Sequence, residues 1–337
     1  MNHVSELPGL EDLEEMLAAH RGTRAFVVPM TGPRGGLLGN NGDQIMHRVF
    51  QRILERLEIT PVTAGESADV VIVPPNGALL EIYQFPELLK QRIEAYRDVP
   101  LVLFPSSAFF PTRNPAFMFE GRSAPTTWIL REQNSLTHLE SVWGEELAAA
   151  GVTLRLDHDV VASGHGFVDD ILPKNAGAPI ALVAARVDVE SKAVGARAAT
   201  TTAAPSRPGF LKRLRRAVPY SRLTTLGARL ARRSKQRAAG ERIVASLPSE
   251  LRAELAAVAA RTVYSDVSAV QYATFAEYAR LIRSAEIVVT NRLHVALPAT
   301  VLGKRVILVD AGYHKLSGVY HRSLAGAPNV TLVQGAK

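Results

Sequence analysis

Ser284-Ala-Glu-Ile-Val-Val-Thr-Asn-Arg-Leu-His294 is the stretch of the sequence from which the fold is deduced. Residues Glu286–Thr290 are rich in Ile and Val and predict a short buried strand, and Arg292–Leu302 predict a helix that Gly303 ends. Lys304–Asp310 then predict the next strand. Because the order strand, helix, strand is the βαβ unit of a parallel sheet, we predict an α/β fold.

The same alternation of strands and helices extends along the chain. Further short strands are predicted at Ala25–Met30, Val70–Val73, Leu101–Phe104, Thr127–Leu130, Thr153–Leu156 and Ile180–Val187. The chain has 337 residues, which is enough for two domains of about 150 residues each. We therefore predict two α/β domains, residues 1–175 and residues 176–337.

Arg292 and His294 follow the strand at a turn that begins with Asn291. Open α/β folds bind ligands at the carboxyl edge of the sheet, and the first turn of a helix offers backbone N–H groups to an anion. A cation and a titratable imidazole at this position suit an anionic substrate that needs a proton. The alternative is structural: an Arg that pairs with a carboxylate and a His packed into the crossover. Pro298 lacks a backbone N–H, so the helix is expected to kink or to begin late.

Near the N-terminus, the long glycine-rich loop Thr31–Asn41 precedes a helix. Residues Gln44–Leu57 predict an amphipathic helix with one apolar face. Asp43 stands at the start of this helix, where its structural role would be that of an N-cap, which contributes about 1 kcal/mol.

Composition and spacing argue against several kinds of site. The chain has no cysteine, so it has neither disulfides nor thiolate ligands and nucleophiles. Gly32–Gly36 is glycine-rich but lacks the Gly-x-Gly-x-x-Gly and Walker patterns of nucleotide-binding loops. Asp157-His-Asp159 offers possible metal ligands, but adjacent strand residues point to opposite faces, and no second cluster has zinc spacing. We predict no metal site.

Positive charge is concentrated in one segment of the chain. The net charge is +7, yet residues 207–242 contain twelve Lys and Arg residues against the single acid Glu241, so the rest of the protein is mildly acidic. Residues 193–208 are rich in Ala, Thr and Pro and predict a flexible linker. We interpret residues 191–242 as an insert. Two interpretations stay open: a disordered, solvated segment, or one that lies on an anionic membrane surface.

Seven sequence motifs, taken in order, resemble those of the polysaccharide pyruvyl transferase family. They are Gly39-Asn-Asn-Gly-Asp43, Leu103-Phe-Pro-Ser106, Ile129-Leu-Arg-Glu132, Ala185-Arg-Val-Asp-Val-Glu190, Thr290-Asn-Arg-Leu-His294, Gly303-Lys-Arg-Val-Ile-Leu-Val-Asp310 and Tyr313-His-Lys-Leu-Ser-Gly318. The resemblance extends from about Arg24 to Leu332, with a break at about Ser191–Glu241. Each motif is weak by itself, and their shared order makes the resemblance specific.

This resemblance implies an enzyme that transfers the pyruvyl group of phosphoenolpyruvate to two hydroxyls of a sugar, forming a ketal. The acceptor would be a bacterial surface polysaccharide or its lipid-linked precursor. The resemblance also implies two Rossmann-like domains arranged as in a GT-B glycosyltransferase, with the active site in the cleft. Phosphoenolpyruvate is the donor substrate, and no cofactor or metal is expected.

The resemblance assigns two groups of candidate residues: catalytic His294 and Asp43, and donor-binding Arg186, Arg292, Leu293 and Lys315. We place Asn40, Arg131 and Glu132 on the acceptor side of the cleft; the alternative for Arg131 and Glu132 is a surface pair in which each side chain satisfies the other. Two positions depart from the family pattern. His314 stands beside Lys315 where glycine is expected, and Pro74-Pro-Asn-Gly77 replaces a glycine-rich turn.

Two other functions remain open at this point. A GT-B-like glycosyltransferase that uses a nucleotide sugar would have the same architecture, because a fold does not determine chemistry. The second half nevertheless has no recognisable nucleotide-sugar motif. The basic segment would suit a nucleic-acid-binding protein. Aromatic residues are sparse there, with Phe210 and Tyr220, and we expect no nucleic-acid partner.

The location of the protein is inferred from what the sequence lacks. No run approaches the roughly 20 apolar residues of a membrane span. The acidic segment Glu6–Glu15 does not resemble a secretory signal. We expect a cytoplasmic protein, with contact at the inner face of the cell membrane if the insert binds anionic lipid.

Overall fold

The computed structural model describes residues 7–31, 39–186, 222–258, 261–310 and 314–334. These residues form two parallel sheets with helices packed against them, an arrangement consistent with Rossmann-like folds. The predicted α/β fold is confirmed. The first sheet ends with Leu156 and the second begins with Ile180, on either side of the predicted domain boundary. The boundary at residue 175 stays a prediction.

The first sheet contains seven strands within the described residues. In chain order they are β1 (Arg24–Val27), β2 (Thr60–Val62), β3 (Val70–Val73), β4 (Asn76–Leu80), β5 (Leu101–Phe109), β6 (Thr126–Leu130) and β7 (Val152–Leu156). Their spatial order is β2-β1-β3-β5-β6-β7, and β4 also pairs with β5. The chain leaves β1 towards β2 and then returns to β3 on the other side, so the order reverses between β1 and β3.

The second sheet contains five strands within the same described residues. They are β8 (Ile180–Ala184), β9 (Thr262–Tyr264), β10 (Ala285–Thr290), β11 (Arg305–Asp310) and β12 (Val330–Gln334). Their spatial order is β12-β11-β10-β8-β9, with parallel pairs. Here the order reverses between β8 and β10.

Helices connect the strands and cover the sheets. They are α1 (Glu11–Met16), α2 (Asn41–Arg56), α3 (Phe85–Ile93), α4 (Gln133–Ala149), α5 (Val160–Ser163), α6 (His165–Ile171), α7 (Arg222–Ala245), α8 (Ser249–Val258), α9 (Phe275–Ser284), α10 (Leu293–Val301) and α11 (His314–Val319). A single π-helical turn, Tyr320–Leu324, follows α11.

The βαβ unit deduced from Ser284–His294 is confirmed as β10, α10 and β11. The helix begins at Leu293, one residue later than predicted, and Arg292 occupies its N-cap position. His294 has non-helical backbone angles, with φ −83° and ψ 21°, so the helix is kinked in its first turn. The backbone carbonyl of His294 accepts a hydrogen bond from the Tyr278 hydroxyl. The expected irregularity therefore lies at the candidate imidazole rather than at Pro298.

Helix α2 links the two halves of the molecule. Its predicted apolar face is buried in the core that both sheets share. At its N-terminal end, the amide of Asn41 donates to the carbonyls of Val267 (2.8 Å) and Ala273 (2.9 Å). The backbone N–H of Asn41 donates to the carbonyl of Ser268, also at 2.8 Å. Since Asn41 is fully buried, these bonds are shielded from water and fix the start of α2 against the second half.

The described part of the predicted insert at residues 191–242 has regular structure. Residues 222–242 are helical and belong to α7, which contacts β8, β9 and β10. Ala239 is buried, and Gly240 lies so close to Tyr264 that a Cβ atom there would be 2.4 Å from the ring. This part of the segment is held by packing on the second sheet. The predicted linker at 193–208 and the basic residues before 222 lie outside the described residues.

Among the helices of the described residues, none combines the length and the apolar character needed to cross a bilayer.

Candidate active site

The candidate site is a cavity of about 1330 Å³ between the carboxyl edges of the two sheets. The strand order of each sheet reverses there, which is where open α/β sheets bind ligands. From the first sheet, Asn40 and Asp43 follow β1 and Asn76 follows β3; from the second, Arg186 follows β8 and His294 follows β10. The fold therefore collects these residues at a single place, although they are distant in sequence.

His294 is held by a buried carboxylate that the sequence analysis did not select. Its Nε2 lies 3.1 Å from Oδ2 of Asp159 and 3.5 Å from Nη1 of Arg131. Arg131 also donates to the same Oδ2 at 2.8 Å. The Nδ1 atom of His294 has no hydrogen-bond partner among the described residues. When Nε2–H donates to Asp159, Nδ1 is therefore the nitrogen that can face a ligand.

The Asp159 side chain is a buried carboxylate that can pair with positively charged side chains. It follows β7, is fully buried, and caps α5 by accepting from the backbone N–H of Val161 at 3.0 Å. Burial acts to raise the pKa of this carboxyl, but His294 and Arg131 outweigh burial, and the pKa lies below its ordinary value. Asp159 is thus an ionised carboxylate in contact with both His294 and Arg131.

Arg131 and Glu132 have different positions although they are neighbours in sequence. Arg131 lines the cavity, is 3 % exposed, and donates from Nε to the Ser107 hydroxyl at 2.9 Å. Glu132 is buried behind this wall, and its carboxylate accepts from the hydroxyls of Ser107 and Ser135. Burial raises the pKa of Glu132, against the lowering effect of Arg131. Of this predicted acceptor-side pair, Arg131 is placed against the cavity and Glu132 supports it from behind.

Arg292 lines the cavity but is also engaged in a buried ion pair. Its Nε donates to Oδ1 of Asp266 at 3.0 Å, and its Nη2 donates to Oδ2 at 2.5 Å. Both side chains are nearly inaccessible to water. This two-pronged contact fixes the guanidinium plane. Leu293, the next residue, is 9 % exposed and also lines the cavity. The donor-binding roles of Arg292 and Leu293 stay predictions.

Two further cations face the same cavity. Arg186 is half-buried, and its backbone N–H donates to the amide oxygen of Asn291 at 2.8 Å. Lys315, reaching in from α11, donates from Nζ to the carbonyl of Gly77 at 2.7 Å. Burial and then the charge of Arg131 lower the pKa of Lys315 to about 7. An anion bound beside this amine would favour its charged form.

The Pro74-Pro-Asn-Gly77 loop, which departs from the family pattern, contributes directly to this contact. A Cβ atom on Gly77 would lie 3.2 Å from Nη2 of Arg131 and 3.5 Å from Nζ of Lys315. Glycine therefore lets the backbone of this loop approach both cations closely.

Asn40 and Asp43 form a capping box at the start of α2. The side chain of Asn40 accepts from the backbone N–H of Gly42 at 2.7 Å, and Oδ2 of Asp43 accepts from the backbone N–H of Asn40, also at 2.7 Å. The N-cap is thus Asn40, and Asp43 is the third helical residue. Both side chains also line the cavity. The structural role does not exclude a catalytic one, because a carboxylate has a second oxygen.

Gly42 explains why the Gly-Asp element lies beside His294. A Cβ atom built on Gly42 would lie 2.7 Å from Cβ of His294 and 2.9 Å from Oδ1 of Asn40. Contacts this short between non-bonded atoms force a displacement. The absence of a side chain at this position therefore sets the distance between α2 and the imidazole.

We expect Gly42→Ala to displace His294 and to lower turnover by about tenfold or more, because small misplacements of reacting groups are costly. Overpacking should also lower the free energy of unfolding by about 1–3 kcal/mol. Gly144→Ala in α4 is the matched control, since a Cβ there meets no atom within 4 Å. Steady-state rates and urea unfolding of the two variants test this. Native turnover in Gly42→Ala would contradict the proposed packing role.

Two important residues were not selected from the sequence. Asp159 follows strand β7 at its carboxyl edge, which was a usable signal, but the motif Asp157-His-Asp159 was considered only for metal binding. Asp266 follows β9, a strand of three residues that was not predicted. Each contacts a side chain more than 25 residues away in sequence: Asp159 contacts His294, and Asp266 contacts Arg292.

A group of possible metal ligands lies outside the cavity lining. Asp12, Asp157 and His158 each offer one ligand atom, and these atoms lie within 4.8 Å of one another. Burial raises the pKa of Asp157 to about 6. Burial and then Arg322 lower the pKa of His158 to about 4. Neither residue contacts His294.

Part of the chain matches a known protein family. Residues 232–313, from α7 through β11, match the model of the polysaccharide pyruvyl transferase family, which confirms the resemblance. The matched region contains Arg292, Leu293 and His294. It also begins inside the predicted insert, so the match includes the C-terminal part of α7.

The fold as a whole is similar to a known crystal structure. That structure is of a functionally uncharacterised protein from Klebsiella pneumoniae subsp. pneumoniae, with a TM-score of 0.56 and 15% sequence identity. The similarity covers 99% of this chain and 100% of the other. At this identity the likeness concerns the fold alone. Among proteins with curated descriptions, none matches the sequence significantly.

Proposed function

We propose, starting from the polysaccharide pyruvyl transferase match at residues 232–313, that the protein transfers the pyruvyl group of phosphoenolpyruvate to two hydroxyls of a sugar. The family supports a pyruvyltransferase in general. The observation that carries the specific proposal is the contact of His294 with Asp159 beside a cavity lined by Arg131, Arg186 and Lys315. A proton donor and several cations around one cavity suit an enol that bears two anionic groups.

The donor would be bound by charge-assisted hydrogen bonds. Phosphoenolpyruvate carries a carboxylate and a phosphate, and guanidinium and ammonium groups bind such oxygens strongly. Arg186 and Lys315 line the cavity next to His294 and supply two such groups. Arg292 would add a third, oriented by Asp266. Leu293 would pack against the uncharged part of the donor.

The proton would come from His294. In the imidazolium, Nε2–H donates to Asp159 and Nδ1–H is available to the methylene carbon of the donor. Protonation of that carbon makes C2 electrophilic, and one sugar hydroxyl adds to it. Phosphate then leaves with the C2–O electron pair. The second hydroxyl adds to the resulting oxocarbenium ion and closes the ketal.

Asp43 is the proposed base for the acceptor hydroxyls. It lines the cavity at the start of α2, next to Asn40. Each of the two hydroxyls loses a proton when its oxygen bonds to C2, while the methylene carbon gains one. The surplus proton can leave with phosphate. Arg131 would orient the acceptor from the wall that Glu132 supports.

The size of the cavity agrees with a second substrate. Its volume of about 1330 Å³ exceeds the range of about 300–1,000 Å³ that is usual for small-ligand pockets. Several apolar side chains also line it, including Met30, Phe85 and Leu88. A sugar acceptor, alone or linked to a lipid, is the proposed partner. Contact of residues 207–242 with an anionic membrane and a cytoplasmic location belong to the same proposal.

A glycosyltransferase is the second candidate function. Two parallel sheets that face each other across a cleft also suit a GT-B arrangement with a nucleotide sugar, and we propose that arrangement for the two halves. The two activities differ in their products. Release of a nucleotide from a nucleotide sugar would favour the glycosyltransferase, whereas release of phosphate from phosphoenolpyruvate would favour the pyruvyltransferase.

The experiment that tests the proposal is an incubation of the full chain with phosphoenolpyruvate and a panel of free and lipid-linked glycosides. We expect phosphate release coupled to a pyruvate ketal, detected on the sugar by mass spectrometry and NMR. Nucleic acid is a matched negative ligand. The proposal would be contradicted if phosphoenolpyruvate is not consumed with any acceptor and the protein binds DNA in a salt-dependent way.

Activity is expected to survive dialysis against a chelator, because the proposed donor contacts are Arg and Lys side chains rather than a divalent ion. The measurement is the initial rate before and after dialysis, at a temperature well below thermal unfolding. A rate that is lost on dialysis and restored by added Mg²⁺ or Mn²⁺, with unchanged thermal stability, would contradict this prediction.

A further inference from the structure

Asp12, Asp157 and His158 bring three metal-binding side chains together outside the proposed active site. Asp12 lies in the first turn of α1, and the other two follow β7. Their ligand atoms lie within 4.8 Å of one another. Strand β7 ends at Leu156, so Asp157 and His158 are no longer constrained to opposite faces of a strand. The missing third ligand was not recognisable from sequence because it comes from a helix 145 residues earlier.

Asp157 requires a compensating positive charge. Its side chain is completely buried, and within the described residues neither carboxylate oxygen accepts a hydrogen bond of good geometry; the backbone N–H of His158 and the charge of Arg322 only partly offset the effect of burial, which raises the pKa. A buried carboxylate without partners is costly, and proteins usually pair such groups or bind them to metals. This observation is independent of the clustering and points to a cation.

The charges around the group leave room for such a cation. The titratable groups nearby are Asp12, Asp157, His158 and Arg322. Two carboxylates and one guanidinium leave a net negative charge when the imidazole is neutral. Nδ1 of His158 lies 3.1 Å from the Ser323 hydroxyl. If Nδ1–H donates to this hydroxyl, Nε2 keeps its lone pair for a metal, as in other histidine sites with a supporting partner.

We propose that one divalent transition-metal ion, such as Zn²⁺, is bound by Asp12, Asp157 and His158. The ion would join α1 to the segment after β7. An imidazole with two carboxylates favours Zn²⁺ or Mn²⁺ over Mg²⁺ and Ca²⁺, which prefer all-oxygen sites. The side chains must close by a small movement to reach zinc bond lengths of about 2.0–2.2 Å.

The expected effect of the cation is structural. Residue Asp159 follows directly in sequence, so an ordered Asp157–His158 segment would help to hold the start of α5. The cation does not line the cavity that contains His294, and the proposed pyruvyl transfer does not pass through it. The two proposals therefore succeed or fail separately.

Zinc binding to the full-length protein tests the proposal. After dialysis against a chelator, equilibrium dialysis with Zn²⁺ is expected to give about one tight site per chain, and added Zn²⁺ should raise the thermal midpoint by mass action. Asp12→Asn and Asp157→Asn should each weaken this site at least about tenfold. Mg²⁺ and Ca²⁺ are the comparison ions.

Glu15→Gln is the matched control, because it removes an exposed carboxylate from the same helix without touching the cluster. It should bind Zn²⁺ as the unchanged protein does. Asp12 is exposed, so its variant is expected to fold even if Asp157→Asn does not. Absence of a tight site, or a site that both Asp12→Asn and Glu15→Gln retain equally, would overturn the proposal.

Discussion

Replacing His294 with Gln is expected to lower the rate of pyruvyl transfer by about a hundred- to ten-thousand-fold, the usual cost of losing a general acid. Glutamine is similar in reach but does not exchange a proton near neutral pH. Donor affinity should be nearly unchanged, because the cations that would bind phosphoenolpyruvate remain. Single-turnover rates and calorimetry with the donor separate these two effects.

The structure adds a companion variant to this experiment. Asp159 contacts Nε2 of His294 and Nη1 of Arg131, so Asp159→Asn removes the negative charge beside these two side chains and keeps the size of the side chain. It should also slow the protonation step. If the two residues act as a unit, the double variant will be little slower than His294→Gln alone.

Controls distinguish a chemical role from a general loss of structure. His20→Gln replaces a half-buried histidine in the turn before β1 and should leave turnover unchanged. Thermal unfolding of each variant shows the folded fraction. Near-native turnover in His294→Gln would mean that the imidazole is structural, and that Asp43 or another residue supplies the proton.

The sequence predicted the elements that depend on local patterns. The strand at Val70–Val73 and the βαβ unit around β10 are continuous apolar segments with clear ends, and both are confirmed. Strands β2 and β9 were missed because each has three residues, and their exposure leaves little hydrophobic pattern. A strand is recognised in a sequence by its pattern of buried apolar side chains, and these two strands bury few side chains.

For each of the two central contacts in the site, only one of the two partner residues was predicted from the sequence. His294 was recognised by its motif, but its partner Asp159 lies 135 residues earlier, and sequence spacing carries no information about such a pair. The same holds for Arg292 and Asp266. The structural alternative for Arg292, pairing with a carboxylate, describes the observed ion pair, while the donor-binding role remains a prediction. Both roles are compatible when one carboxylate orients a cation that a ligand also contacts.

Arg292→Lys is expected to weaken phosphoenolpyruvate binding by about tenfold or more, which corresponds to about 1.4 kcal/mol. Lysine keeps the positive charge but loses the two-pronged geometry of the guanidinium. Because the contact with Asp266 is also two-pronged and buried, the free energy of unfolding should fall as well. Calorimetry with the donor and denaturant unfolding measure the two effects separately.

The variant Asp266→Asn shows whether breaking the ion pair alone explains the loss of donor affinity in Arg292→Lys. This variant keeps Arg292 and its charge, while it removes the carboxylate that orients the guanidinium. If Arg292 contacts the donor, Arg292→Lys should impair donor affinity more than Asp266→Asn does, at a comparable loss of stability. If both variants lose stability and the folded protein binds phosphoenolpyruvate with native affinity, Arg292 is a structural residue. Donor recognition would then rest on Arg186, which follows β8, and on Lys315 in α11; both side chains line the same cavity.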